Sequence, residues 1–126
     1  MVLVIGGKSQ GKTEFAKRMF PEFVVLDGPS LPEIFPCEEE IIWDGFNHSI
    51  RKLVEEKTDE EIVSQVEDLI SKKSVVIISD EVGNGIVPLE KIERRYRDLC
   101  GRLLVEIASR SKEVYRVICG IGQKIK

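Results

Sequence analysis

The sequence is poor in cysteine and aromatic residues, and it has no excess of basic charge. Its three cysteines, Cys37, Cys100 and Cys119, have no C-x-x-C spacing, which excludes a disulfide framework and a zinc site of the usual kind. The formal net charge is -3, so we expect no nucleic-acid partner. The apolar runs are only strand-sized and no basic leader precedes a long apolar segment, so we expect no membrane span, no signal peptide and a cytoplasmic protein.

One glycine-rich motif dominates what is present. Residues 6–13 read G-G-K-S-Q-G-K-T, a full match to the phosphate-binding pattern G-x-x-x-x-G-K-[ST], and the motif lies between a predicted strand and a predicted helix. The backbone of such a loop, with the positive end of the helix behind it, favours phosphate. The motif therefore predicts a site for ATP or GTP in which these residues contact the nucleotide: Gly6, Gly7, Lys8, Ser9, Gln10, Gly11, Lys12 and Thr13. Lys12 is predicted to reach the terminal phosphates, and the Thr13 hydroxyl to contact Mg²⁺.

The length of 126 residues suits one domain covering residues 1–126. Short apolar runs alternate with helical patterns, which predicts a three-layer α/β fold of the P-loop NTPase type with a mostly parallel central sheet. The predicted strands are Met1 to Ile5, Phe23 to Leu26, Glu40 to Trp43, Val75 to Ile78 and, as the last strand, Val114 to Cys119. The predicted helices are Thr13 to Phe20, Asn47 to Glu56, a helix opened by a Thr58/Glu61 capping box and ending near Lys72, and Leu89 to Ser111.

Three carboxylates follow predicted strands. Asp44 comes directly after one strand, and Asp80 and Glu81 follow another, one residue beyond its end. Ligands of parallel sheets bind at the carboxyl ends of the strands, so either position can orient the magnesium ion of a P-loop site. We assign Thr13 and Asp44 as the metal residues and keep Asp80 or Glu81 as the alternative.

Arg97 and Arg102 flank the compact step Cys100-Gly101 on the long predicted helix. Most arginines of such a helix form surface ion pairs, but small residues beside these two allow close approach of a ligand. His48 is the single histidine, and its position near Asp44 suits a polar residue at a helix start. A nucleophile or proton carrier near the phosphate site is the alternative for His48.

Several ordered blocks of the chain resemble the cobinamide kinase/cobinamide-phosphate guanylyltransferase family of cobalamin biosynthesis. The opening strand with its P-loop is similar to that family, and residues 81–88 resemble its E-V-G-x-G-I-V-P signature. Residues 94–102 resemble its R-x-[FY]-R-D-x-x-G-R stretch, and residues 117–121 resemble its closing strand and glycine turn.

The resemblance implies a kinase that uses ATP or GTP with Mg²⁺ to phosphorylate adenosylcobinamide, a corrinoid. It also implies a ring-like homo-oligomer, a trimer in that family. In this interpretation Lys12 is catalytic, Glu81 orients the acceptor hydroxyl or acts as base, and Arg97 or Arg102 stabilises negative charge.

The chain departs from the family between Asp27 and Glu40. Family members carry a histidine in an arginine-rich segment here, which becomes the covalent guanylyl carrier, whereas this segment contains neither residue type and is shorter. His48 lies in a different block, so we expect the kinase activity without the covalent-histidine guanylyltransferase activity. The alternatives are a nucleotide-binding sensor without catalysis and a P-loop kinase with another small-molecule acceptor.

Overall fold

The computed structural model describes residues 1–27, 40–72, 74–82 and 88–126. Its strands are β1 (Val2–Gly6), β2 (Val24–Leu26), β3 (Ile41–Trp43), β4 (Val75–Asp80), β5 (Glu113–Ile118) and β6 (Ile121–Lys124). Its helices are α1 (Lys12–Met19), α2 (Phe46–Leu53), α3 (Asp59–Lys72) and α4 (Lys91–Arg110).

These elements form one six-stranded sheet in the order β2-β3-β4-β1-β5-β6. The first five strands of that sheet are mutually parallel, and β6 pairs antiparallel with β5 at the edge. Strand β1 lies centrally between β4 and β5, which brings the P-loop that follows it to the middle of the carboxyl edge. The predicted α/β class with a mostly parallel sheet is confirmed.

Side chains alternate between the two faces of the central strands, as the period of two in a strand requires. Leu3 and Ile77 pack in a core with α2, α3 and α4, whereas Val2, Val4 and Val76 pack in a second core beneath α1. The sheet is therefore covered on both faces, which gives three layers. Trp43 is buried in the first core with its ring centroid 5.0 Å from that of Phe46, so it serves to pack the sheet against α2.

The predicted capping box at the start of α3 is also present. The Glu61 backbone N–H donates to Thr58 Oγ1 at 3.3 Å, and the Thr58 backbone N–H donates to Glu61 Oε1 at 3.2 Å. These reciprocal bonds satisfy two backbone donors that the first helical turn leaves unpaired. The pKa of Glu61 is lowered, because its carboxylate accepts from the Thr58 backbone N–H and from the Thr58 hydroxyl.

Two predictions about the strands are corrected. Strand β4 continues to Asp80, in register with Gly6, so Asp80 belongs to the strand and not to the loop after it. The prediction that the chain ends its sheet with residues 114–119 is wrong, because β6 follows through a tight turn. Cys119 and Gly120 have φ values of 50° and 77° in that turn, as a two-residue hairpin of type I′ requires.

No helix in the described ranges is long and apolar enough to cross a membrane.

Cys100 is buried, and burial raises the pKa of its thiol to about 12, in line with a packing role. Cys119 is exposed, and Cys37 lies outside the described residues.

Candidate nucleotide-binding site

The P-loop turns tightly between β1 and α1, and two of its glycines are required by space or conformation. A Cβ on Gly6 would lie 2.5 Å from the Val117 carbonyl oxygen of the neighbouring strand, which cannot move without disturbing the sheet. Gly11 has a φ of 86° as N-cap of α1, and Ser9 also has a positive φ, of 60°. Positive φ values in a short loop create concavities lined by backbone N–H groups, where anions bind.

Lys12 is buried, with only 8% of its surface exposed. Its Nζ donates to the Gly7 carbonyl oxygen at 2.7 Å and to Asp80 Oδ1 at 2.7 Å. The ammonium group is therefore folded back over its own loop and held by the carboxylate at the end of β4. In this position Lys12 lines the cavity beside the loop.

Thr13 contacts the other strand-end carboxylate. Its hydroxyl donates to Asp44 Oδ2 at 2.6 Å, and Asp44 is itself placed by its backbone N–H, which donates to the Leu26 carbonyl oxygen at 2.9 Å. A hydroxyl that donates its single proton keeps two lone pairs. The hydroxyl of Thr13 and the carboxylate of Asp44 are hard oxygen donors, the chemistry that Mg²⁺ prefers beside phosphate.

Asp80 lies in a mixed environment. Burial raises its pKa, but the hydrogen bond and charge of Lys12, with smaller contributions from Asn47 and His48, lower it, and the net pKa is below the usual value. Asp80 is thus held as a carboxylate. His48 Nε2 lies 3.7 Å from Asp80 Oδ2, with 62% of the histidine side chain exposed.

These groups surround one cavity of about 280 Å³, near the lower limit for small-molecule sites. Its lining joins the P-loop to the ends of β2, β3 and β4 and consists of Lys8, Ser9, Gln10, Gly11, Lys12, Thr13, Glu14, Asp27, Asp44, Gly45, Asn47, His48, Ile78, Ser79 and Asp80. Six of the eight predicted P-loop residues line the cavity together with Asp44, and Gly6 and Gly7 form the turn that leads into it.

Glu81 lies beside this cavity. Its backbone N–H donates to the Gly6 carbonyl oxygen at 3.0 Å, while its side chain accepts from Arg116 Nε at 2.7 Å. Successive strand-end residues point to opposite sides, so Asp80 and Glu81 face different partners. Residues 83–87 of the predicted signature block lie outside the described residues.

Arg97 and Arg102 lie on α4 and line a different cavity, of about 550 Å³, with Val82, Asp98, Gly101 and Val105. Arg102 Nη2 lies 3.5 Å from Asp59 Oδ2, a surface ion pair. Both arginines line this second cavity, and within the described residues neither lines the P-loop cavity. Their catalytic roles stay predictions, as does the role of Glu81.

The β5-β6 turn supports the P-loop from the other side, which the sequence did not reveal. Gln10 is the contact: its side-chain Oε1 accepts from the Cys119 backbone N–H at 2.8 Å, and its carbonyl oxygen accepts from the Gly120 N–H at 2.7 Å. A Cβ on Gly11 would lie 3.1 Å from the Gly120 Cα. A sequence signal did exist, since Gly120 follows the predicted last strand and glycine is typical of the second position of a two-residue hairpin turn.

A P-loop at the centre of a mostly parallel, three-layer α/β sheet, with a strand-end carboxylate on its threonine, defines a P-loop nucleotide-binding protein. Comparison with known families narrows this class. Residues 37–125 match the model of the family described as cobinamide kinase / cobinamide phosphate guanyltransferase, which is more than two thirds of the chain, so the chain belongs to that family. The predicted family resemblance is confirmed.

Two curated relatives illustrate the relationship. The bifunctional adenosylcobalamin biosynthesis protein CobU of Escherichia coli (strain K12) is 46% identical over 52 residues, which are 41% of this chain and 29% of that protein. The bifunctional adenosylcobalamin biosynthesis protein CobP of Pseudomonas aeruginosa is 36% identical over 52 residues, which are 41% of this chain and 30% of that protein. The chain thus matches about three tenths of the length of these relatives.

Proposed function

We propose that this chain is a nucleotide-dependent kinase of cobalamin biosynthesis that transfers the terminal phosphate of ATP or GTP to the aminopropanol hydroxyl of adenosylcobinamide. The observation that carries the proposal is the convergence of Lys12, Thr13 and Asp44 on one cavity behind a complete P-loop. Membership of the cobinamide kinase family supports the choice of acceptor.

Phosphoryl transfer asks a protein mainly for positioning and for charge neutralisation. The loop backbone from Gly6 to Thr13 would bind the phosphates, and Lys12 would offset charge on the group being transferred. The acceptor oxygen forms a bond to the terminal phosphorus, the bond from that phosphorus to the bridging oxygen breaks, and the nucleoside diphosphate leaves. The hydroxyl proton passes to a carboxylate, for which we propose Glu81, with Asp80 as the alternative closer to Lys12.

Thr13 and Asp44 are the residues we propose to hold Mg²⁺. When bound, this ion would neutralise charge on the phosphate oxygens. The chain's own contribution is to fix the Thr13 hydroxyl through its 2.6 Å bond to Asp44.

We propose that the chain catalyses the kinase reaction and does not carry out guanylyl transfer through a covalent histidine. The segment between Asp27 and Glu40, where the family resemblance would place the carrier histidine, contains no histidine or arginine. Its residues 28–39 lie outside the described part of the chain. The single histidine, His48, follows β3 and lines the P-loop cavity. A guanylyl adduct on His48 would refute this part of the proposal.

The experiment is a transfer assay with adenosylcobinamide and MgATP or MgGTP, with products identified by mass spectrometry. Lys12→Ala and Asp44→Asn test the site, and Lys17→Ala is the matched control, since Lys17 is an exposed lysine on the same helix, 3.8 Å from Glu14. We expect a mass gain of one phosphate with the wild type and Lys17→Ala, and loss of product with the other two variants. Nucleotide binding without any transfer to adenosylcobinamide would overturn the proposal in favour of a sensor or another acceptor.

A further inference from the structure

Asn47 is a buried amide beside the site, and the P-loop pattern does not include it. It is the second residue of α2 and is 4% exposed. Its Oδ1 accepts from the Asp80 backbone N–H at 3.1 Å, and its Nδ2 donates to Asp80 Oδ2 at 3.3 Å. Because a backbone N–H can only donate, the atom facing it must be the amide oxygen, which directs the amide nitrogen to the carboxylate.

Asp80 is thus held at both its backbone and its side chain by one neighbour. With Oδ2 bound to Asn47, the other oxygen, Oδ1, faces Lys12 Nζ at 2.7 Å. A partly buried carboxylate with a hydrogen-bond partner on each oxygen has little freedom to rotate. The three side chains form a continuous series of contacts from α2 through β4 to the phosphate loop.

Other groups around Asp80 restrain it less. His48, also from α2, is 3.7 Å away and mostly exposed, so water screens it. Tyr96 approaches from α4, where burial raises its pKa and a hydrogen bond with the Asn47 side chain opposes that rise. Asn47 therefore contacts both Asp80 and Tyr96 and lies at the centre of this cluster.

We propose that Asn47 is a positioning residue, which orients the Asp80 carboxylate so that it holds the Lys12 ammonium group over the phosphate loop. A lysine has a flexible four-carbon stem, and its use in phosphoryl transfer depends on where its charge is held. The inference rests on the proposed kinase function for its catalytic consequence. Its structural part, the orientation of Asp80, does not.

Three variants separate positioning from simple stabilisation. Asn47→Ala removes both bonds to Asp80. Asn47→Asp keeps an oxygen for the Asp80 N–H but replaces the donor to the carboxylate with a second carboxylate oxygen. Ser49→Ala is the matched control, because Ser49 is a fully buried polar residue of the same helix whose hydroxyl accepts from Trp43 Nε1 at 3.1 Å, away from Asp80.

Two measurements are made on each protein. The first is the pH titration of the Asp80 carboxyl group by NMR with aspartate labelled in its carboxyl carbon. The Asp80 pKa should rise in both Asn47 variants and stay unchanged in Ser49→Ala. The second is the transfer assay, in which both Asn47 variants should lower kcat by about tenfold to a hundredfold, with KM for the nucleotide changing by less than about threefold.

An unchanged Asp80 titration in Asn47→Ala overturns the inference. So does wild-type kcat in Asn47→Asp, or an equal loss of kcat in Ser49→Ala. If the wild type transfers no phosphate, the proposed function fails, and the titration still decides whether Asn47 orients Asp80.

Discussion

Gly122 in the edge strand β6 faces the helix that follows the P-loop. A Cβ added there would lie 2.0 Å from Phe15 Cε2 and 2.2 Å from Phe15 Cζ. Carbon atoms in contact stay about 3.5 to 4.0 Å apart, so in Gly122→Ala the ring or the strand would have to move by roughly 1.5 Å.

Phe15 has little room to move aside. Its ring packs on the core beneath α1, and its centroid is 5.4 Å from that of Tyr115. Forcing extra atoms into a packed site costs about 1 to 3 kcal/mol, so we expect the free energy of unfolding to fall by that amount. Because α1 begins at Lys12, a shifted helix should also weaken nucleotide binding.

The assay is urea unfolding together with titration of the folded protein with MgATP or MgGTP. Gly101→Ala is the control, since a Cβ added at this position in α4 has no neighbour within 4 Å. Alanine is favoured over glycine inside a helix by about 0.5 to 1 kcal/mol, so the control should gain stability. A Gly122→Ala protein as stable as the wild type would refute the packing argument, and lost stability with unchanged nucleotide affinity would refute the link to the P-loop.

Three further outcomes are expected. Ile62→Ala removes a fully buried side chain from the larger core and should lower the free energy of unfolding by about 2 to 5 kcal/mol in urea. Thr58→Ala removes the cap of α3 and should cost about 0.5 to 2 kcal/mol by the same measurement, with Thr58→Ser restoring most of it. Because the folded state lowers the pKa of Asp80, its carboxylate contributes stability above the unfolded pKa of about 3.9, and this is lost as the pH falls through the folded value. The stability difference between wild type and Asp80→Asn should therefore be largest near neutral pH and shrink in acid, and a difference independent of pH would contradict this assignment.

The P-loop and the sheet class could be predicted because their signals are local. The glycines, Lys12 and Thr13 of the motif all lie within residues 6–13, although the atom that crowds Gly6 belongs to Val117 of β5. The strand and helix on either side of the motif carry apolar patterns of their own. A local pattern of this kind survives without any knowledge of partners elsewhere in the chain.

The carboxylates show where such reasoning stops. Whether Asp80 or Glu81 faces Lys12 depends on where β4 ends and on its register with β1, and both are properties of the folded sheet. Asn47 was missed as a site residue for the same reason, since its partner lies 33 positions away along the chain.

Strand β6 was missed because its sequence, Ile121–Lys124, has only one large apolar residue. Pairing with β5 stabilises these residues as a strand, although their own strand propensity is weak. Tertiary context overrides a weak local preference at a sheet edge.

The central place of β1 also has a consequence for the order of assembly. Of the six described strands, β1 is synthesised first, but its two neighbours are far along the chain, with Val2 paired to Val76 on one side and to Glu113 on the other. Non-local pairings of this kind are slow to form, because loop closure precedes any gain from contact. On a ribosome, a nascent chain that stops before residue 113 would carry the complete phosphate motif and lack β5 beside it, so the capacity to bind nucleotide would arise only after β5 has been synthesised.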